Sequence, residues 1–339
     1  MSTLLLEALR GRPTPRRPLW IMRQAGRYLP EYRALRERHS FEELSGSAEL
    51  SAEVTLQPVR RFALDAAIIF ADIMSPMAAL GVPVRFNPGP VIADPVRTIA
   101  DVEALRSPAA GEIAPEVMTA LRLVRAELPA DQALLGFAGA PWTLAAYLVQ
   151  GKGAPGFPAL RALAARDPGL LDALMSRLTD LVVAYLHEQV AAGADAVQLF
   201  DTWAGVLSPA RWSELVRPHL VRLLHETAGL GVPRILFVQD ASHLVPSYAA
   251  LRSEALAVDW REDLASLREF VGPERGLQGN LDPAFLVAGP EATQVEARAL
   301  LARVPARGHV VNLGHGITPD APLESVQALI DVVHAEQLP

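Results

Sequence analysis

The chain has 339 residues, half of them hydrophobic and a fifth charged, with a formal net charge of −7 and no cysteine. That balance is globular. The missing cysteines exclude disulfides, Cys–zinc sites, iron–sulfur clusters and thiol nucleophiles, and the acidic total without a basic, aromatic-interleaved stripe argues against nucleic acid. No basic start leads into an apolar h-region and no apolar run reaches the roughly 18–20 residues of a bilayer span. A cytoplasmic protein with no membrane partner is expected.

Residues 1–17 read as an N-terminal arm: a short helical start, then a basic, Pro-containing entry that is partly mobile. The next stretch, Pro18 to Arg36, carries arginines at 23, 27, 33 and 36. Gly26 and Pro30 argue against one uninterrupted helix there. An irregular segment can turn several guanidiniums toward one point, and each offers a planar fork of donors for a carboxylate or phosphate. Two readings fit: an anion clamp, or a solvated basic surface. Lys152 is the only lysine, so part of the arginine richness is compositional.

Phe41–Arg61 reads as one helix, with Ser47 or Ser51 as possible caps. Leu64–Asp72 is an apolar run ending in an acid, the pattern of a buried parallel strand that delivers a carboxylate to its C-terminal end. The pattern recurs at Ala133–Gly139, Ala196–Asp201, Ile235–Asp240, Ala255–Trp260, Gly276–Leu281 and Val310–His315. That makes seven strands, and Val82–Ile92 is the candidate for an eighth. Stretches of helical length, such as Leu170–Ala192 and Pro209–Leu230, separate them. The Ala-Pro-rich pieces at 107–115 and 153–158 read as ordinary loops. Strand–helix alternation over this length predicts an α/β fold, a single-domain (β/α)8 TIM-type barrel over residues 1–339. No Gly-x-Gly-x-x-Gly follows an early strand, which counts against a dinucleotide fold.

In such a barrel the site lies at the C-terminal ends of the strands. The polar residues there are Asp72, Asp201 with Thr202, Gln239 with Asp240, Asp259, Asn280 with Asp282, and His315, with Gly139 beside them. An Asp after a strand serves equally well as a helix cap or turn former. Asp72 lies between apolar neighbours, and a buried carboxylate needs partners; function and a satisfied structural role both fit. His315 sits between Gly314 and Gly316, which allow close approach. Tyr147 on spacing alone is a core or rim tyrosine.

The string Trp20-Ile21-Met22-Arg23-Gln24-Ala25-Gly26-Arg27-Tyr28-Leu29-Pro30-Glu31-Tyr32-Arg33 resembles the N-terminal signature of the uroporphyrinogen decarboxylase family. The resemblance extends along the chain, through Leu56–Phe62 with Asp65–Ile73, Gly136–Thr143 with Tyr147, Phe200–Gly205, Gln278–Pro283 and Asn312–Gly316, in family order. One departure is Thr202, where the family usually has Ser; Thr keeps the hydroxyl. The resemblance implies a homodimer and a tetrapyrrole substrate, uroporphyrinogen III. Its four acetates would lose CO2 to become methyls, giving coproporphyrinogen III. It assigns Arg23, Arg27 and Arg36 to substrate carboxylates and Asp72 to the pyrrole N–H groups. Tyr147, Thr202 and His315 would line the cleft, with Arg23, Arg27, Asp72, Tyr147 and His315 as the catalytic set. The backbone at Gln24, Ala25, Gly26 and Gly139 would add contacts, and Ile68, Phe70, Phe137 and Phe200 an apolar bed.

Losing CO2 leaves a carbanion unless electrons have a sink, which many decarboxylases take from a cofactor. Here the pyrrole itself could serve, so no cofactor and no metal are expected. Guanidinium, His315 and a bound water all stay open as the general acid. Two other classes are weighed. Corrinoid methyltransferases share this barrel, but their zinc sites use cysteine, which is absent here. A tetrapyrrole carrier would bind without releasing CO2; the presence of Asp72 together with the arginines favours the enzyme.

Overall fold

The computed structural model describes residues 3–338. Its strands are β1 (Ala66–Ile68), β2 (Arg85–Phe86), β3 (Pro90–Val91), β4 (Ala133–Gly139), β5 (Ala196–Asp201), β6 (Arg234–Val238), β7 (Ala255–Val258), β8 (Gly276–Gln278) and β9 (His309–Val310). Seven of them form one parallel sheet in the order β1-β4-β5-β6-β7-β8-β9. Every expected strand except the eighth lies in it. Residues 133–139 of β4 are buried throughout, as an apolar run covered on both faces should be.

The sheet is curled, and one segment touches both of its edges. Leu19 pairs in parallel with Val311, just past β9, and its carbonyl accepts the Asp65 N–H, just before β1, at 2.9 Å. A polar layer crosses the interior: Gln278 on β8 donates to Gln198 on β5 at 3.0 Å and accepts from the Trp20 indole at 2.9 Å. β5 and β8 are not sheet neighbours, so only a curled sheet brings those two amides together.

The strand expected at Val82–Ile92 is not part of this sheet. Those residues form an antiparallel hairpin, β2 against β3, with Arg85 opposite Val91 and Phe86 opposite Pro90. Pro83, Pro88 and Pro90 explain the difference: proline cannot donate to a ladder and is excluded from central strands.

Among the helices, the expected Phe41–Arg61 element divides into Phe41–Gly46 and Ala48–Arg61. Ser47 ends the first and caps the second by accepting the Leu50 N–H at 3.3 Å. Pro209–Leu230 likewise divides, at Val216, into Pro209–Leu215 and Arg217–Glu226, and Pro218 opens the second piece. Pro168–Ala191 is continuous, 24 residues long. In the arm, residues 1 and 2 lie outside the described span, as does residue 339. Thr3 caps a helix, Leu4–Leu9, whose Leu5, Ala8 and Leu9 are buried and which packs on β8 and β9. Its basic entry is paired: Arg16 grips Asp65 through two bonds of 2.6 and 2.8 Å, and buried Arg17 reaches Glu336 at 2.7 Å. Among the described residues no helix is long and apolar enough to cross a membrane.

Candidate active site

The C-terminal ends of the strands open into a cleft of about 760 Å³, toward the upper end of what small-molecule sites need. Its floor is aromatic because consecutive strands place phenylalanines at similar height. Phe137 of β4 meets Phe200 of β5 edge-on, with ring centroids 5.7 Å apart, and Phe200 meets Phe237 of β6 at 5.8 Å. Edge-to-face packing of this kind is favoured by the ring quadrupoles. Ile68 and Phe70 continue the apolar surface on the β1 side.

Asp72 enters this surface four residues beyond β1. Past Ile69, whose N–H still donates to the Leu135 carbonyl of β4 at 3.0 Å, the backbone leaves the sheet, and the helix Ala48–Arg61 takes over its hydrogen bonds. Thr55 accepts the Phe70 N–H at 2.8 Å and Ser51 donates to the Phe70 carbonyl at 2.6 Å. The chain can then turn without orphaned amides. Asp72 Oδ1 accepts the Met74 N–H at 2.9 Å, and the Asp72 N–H donates to Ser75 Oγ at 3.2 Å. This fixes the turn into the 3-10 helix Ser75–Leu80. Oδ2 accepts no hydrogen bond among the described residues. Burial pushes the Asp72 carboxyl up to about 6, against the opposing pull of the Met74 N–H and the Arg23 charge.

The clamp is irregular, as Gly26 and Pro30 require: turns run to Leu29 and a helix covers Pro30–Arg36. Arg23, Arg27 and Arg36 line the cleft, and Arg33 does not. Among the described residues none of those three enters an ion pair. Three unneutralised guanidiniums therefore face one cavity, while arginines elsewhere, such as Arg16, Arg60 and Arg222, are paired with carboxylates. Arg23 adopts a left-handed backbone, φ 63°, a conformation that a long side chain occupies only when its surroundings hold it.

Ala25, Gly26, Tyr147, Thr202 and His315 also line the cleft. Gln24 and Gly139 do not. The Gln24 side chain is buried, accepting the Ile21 N–H at 3.0 Å and donating to the Ala66 carbonyl at 2.9 Å, and its own N–H is bonded to the Ile21 carbonyl. It braces the clamp against β1. At Gly139 a Cβ would come 2.7 Å from Leu144 and 3.3 Å from Ile73, so the bare Cα makes room for the Leu144 side chain of the following helix, Pro141–Gln150. Tyr147, on that helix, stacks edge-on with Phe157 at 5.7 Å, and burial raises its hydroxyl. His315 tilts against Phe237 at 6.4 Å. Burial first, then the Arg23 charge, depresses it to about 4, so it is a neutral imidazole at neutral pH.

Asp201, one residue before Thr202, is fully buried. Thr143 Oγ1 donates to its Oδ1 at 2.9 Å and accepts the Trp203 N–H at 3.2 Å. Burial raises this carboxyl to about 7. It anchors the Thr202–Trp203 turn and does not reach the cleft. Asp240 and Asp259 are likewise outside it: the Asp240 N–H donates to Asp259 Oδ2 at 2.5 Å and Arg261 bridges both acids.

Sequence reasoning missed Phe237, Trp203, Tyr32, Phe41, Phe86 and Ile317, all of which line the cleft. Phe237 was findable, since the β5–β6 register sets it beside Phe200. Phe41 and Phe86 were not: their edge-to-face rings, 4.8 Å apart, depend on the β2–β3 hairpin, which forms one wall. That wall is held by the Phe86 N–H donating to Glu42 at 3.1 Å.

Residues 2–336 match the family described as uroporphyrinogen decarboxylase (URO-D). A uroporphyrinogen decarboxylase from Trichlorobacter lovleyi is 43% identical over 335 residues, covering 98% of each chain. One from Syntrophotalea carbinolica is 44% identical over 330 residues, covering 97% of this chain and 96% of its own. Among solved structures, a methyltransferase from Methanosarcina mazei superposes with a TM-score of 0.84, covering 98% of this chain and 99% of its own at 21% identity; that likeness speaks to the fold alone.

Proposed function

The chain belongs to the uroporphyrinogen decarboxylase family and is a carboxy-lyase acting on uroporphyrinogen in tetrapyrrole biosynthesis, and from that premise we propose how its cleft performs the reaction. The observation that carries the reading is one carboxylate, Asp72, set among three unpaired arginines above an aromatic floor. The macrocycle lies on Phe137, Phe200 and Phe237, with Ile68 and Phe70 beside it. Its carboxylates are held by Arg23, Arg27 and Arg36, because guanidiniums stay charged and give two parallel donors. The pyrrole N–H groups face Asp72, whose Oδ2 is free to accept them.

Decarboxylation needs an electron sink, and the pyrrole supplies it. A proton adds to the ring carbon next to nitrogen, the neighbour of the carbon that bears the acetate, leaving a cationic iminium. The bond between the methylene and the carboxylate then breaks; its electrons form an exocyclic double bond and CO2 leaves. The methylene takes one proton to become a methyl as the ring carbon gives its proton back. The net change per side chain is one proton in and one CO2 out, and repetition at four acetates gives coproporphyrinogen III. Asp72 stabilises the cation, because a fixed charge in a poorly solvated site meets charge that develops in the transition state. Such an interaction is worth about 3–4 kcal/mol. His315 is neutral and serves as a hydrogen-bond partner in the wall, as do Tyr147 and Thr202. The incoming proton is drawn from water at the arginine-lined mouth.

Leu19's bonds to both sheet edges support reading its segment as the eighth stave of a closed single-domain barrel. The family resemblance supports a cytoplasmic homodimer; light scattering at micromolar concentration then gives twice the chain mass of 36.5 kDa, and a monomer there opposes it. Anaerobic incubation with reduced uroporphyrinogen III, with products separated by carboxyl count, tests the reaction. Stepwise passage from eight to four carboxyls is expected. Tight binding with no loss of carboxyls would make the chain a carrier instead.

A further inference from the structure

Gly316 adjoins His315 but has no left-handed backbone to explain it. What sets it apart is what a side chain there would meet. A Cβ built on Gly316 falls 2.7 Å from Cγ and 2.9 Å from Nε of Arg23, with Cδ nearer still. All three nearest atoms belong to that one side chain. Gly314 is different: a Cβ there would strike the backbone of Asp259 and Trp260, which makes it a packing glycine.

The stem of Arg23 therefore runs flat across the bare Cα of Gly316. The two segments are joined by one backbone bond and one bond to a side chain. Ile317 N–H donates to the Met22 carbonyl at 2.9 Å, and Met22 N–H donates to Asn312 Oδ1 at 2.9 Å. Arg23 follows this doubly anchored Met22 directly and is left-handed, and its guanidinium acts electrostatically on both Asp72 and His315.

We propose that Gly316 is a positioning residue: by leaving room for the Arg23 stem it sets where that guanidinium enters the cleft. The inference rests on the reading of Arg23 as a substrate-carboxylate ligand. It extends that reading to a residue that does not itself line the cleft. It also gives this glycine a cause that a loop or turn role would not.

The test is a double-mutant cycle with Gly316→Ala and Arg23→Ala, measuring kcat and KM on uroporphyrinogen and Tm by calorimetry. The clashing atoms are a side chain, not backbone, so Gly316→Ala should fold with a Tm close to wild type. Its kcat/KM should fall about 10- to 100-fold, the scale of an ångström-sized misplacement, with KM carrying most of it. In the Arg23→Ala background the same change should cost less than about twofold, because the atoms it displaces are gone. Wild-type kinetics for Gly316→Ala, or equal losses in both backgrounds, would overturn the proposal. If Arg23→Ala itself matches wild type while wild type turns over normally, the role of Arg23 falls and the proposal with it, but the decarboxylase reading stands. Should Gly316→Ala alone fail to fold, recovery in the double variant supports the contact and failure there overturns it.

Discussion

Asp72→Asn separates catalysis from stability, and the two should move in opposite directions. Asn keeps an acceptor for the Met74 N–H, so the turn survives while the charge goes. Losing a fixed counter-charge to the iminium should lower kcat by about two orders of magnitude or more. The stability change follows from linkage. The carboxyl is raised from 3.8 to about 6 by burial, so the folded state holds its proton more tightly than the unfolded chain. Below pH 4 both states are protonated and the carboxylate costs nothing. Stability is lost as pH rises through this interval, and above pH 6 the full cost remains. At about 1.4 kcal/mol per pH unit it is about 3 kcal/mol. Asn has no such cost, so the variant should be more stable than wild type at pH 8, by a few degrees in Tm for a chain of this size. The two should converge near pH 4. Product chromatography gives the rate and calorimetry at pH 4, 6 and 8 gives the stability. Near-normal turnover would remove Asp72 from catalysis, and a lower Tm at pH 8 would refute the burial argument.

Other sites give distinct outcomes. Arg27→Ala should raise KM about tenfold or more with kcat changed little, as expected for loss of one charge-assisted grip on substrate; an unchanged KM would remove it from the clamp. His315, depressed to about 4, should show no titration in its NMR ring resonances between pH 8 and 5.5; a midpoint near 6.5 would mean the imidazole is solvated. Thr143→Val leaves Asp201 Oδ1 and the Trp203 N–H without their partner and should cost about 1–3 kcal/mol in denaturant unfolding, a loss that Thr143→Ser restores in large part.

Much of the sheet was legible because its strands are buried on both faces and read as unbroken apolar runs; Ala133–Gly139 and Ala196–Asp201 match β4 and β5 residue for residue. Asp72 was legible for a related reason, an acid at the end of such a run. What was illegible depends on non-local bonds. Leu19 joins both sheet edges within a string that reads locally as part of the arginine segment, while Val82–Ile92 has strand-like residues but prolines that bar it from the sheet. Gln24 shows the limit for the site. Its place inside the motif suggests a backbone contact to ligand, while in the fold its N–H bonds the Ile21 carbonyl and its side chain bonds Ile21 and Ala66. Gly316 shows the reverse, since a contact with Arg23 nearly three hundred positions away leaves no local trace.

The claim at the centre of the account is that substrate supplies the electron sink while the chain supplies only charge and shape. Protein stripped by chelation and dialysis, and shown by native mass spectrometry to carry nothing but polypeptide, should be given reduced uroporphyrinogen III without oxygen while CO2 is counted. The account predicts four CO2 per tetrapyrrole at the rate of the untreated protein. Release that appears only after a cofactor or metal is added back would contradict it.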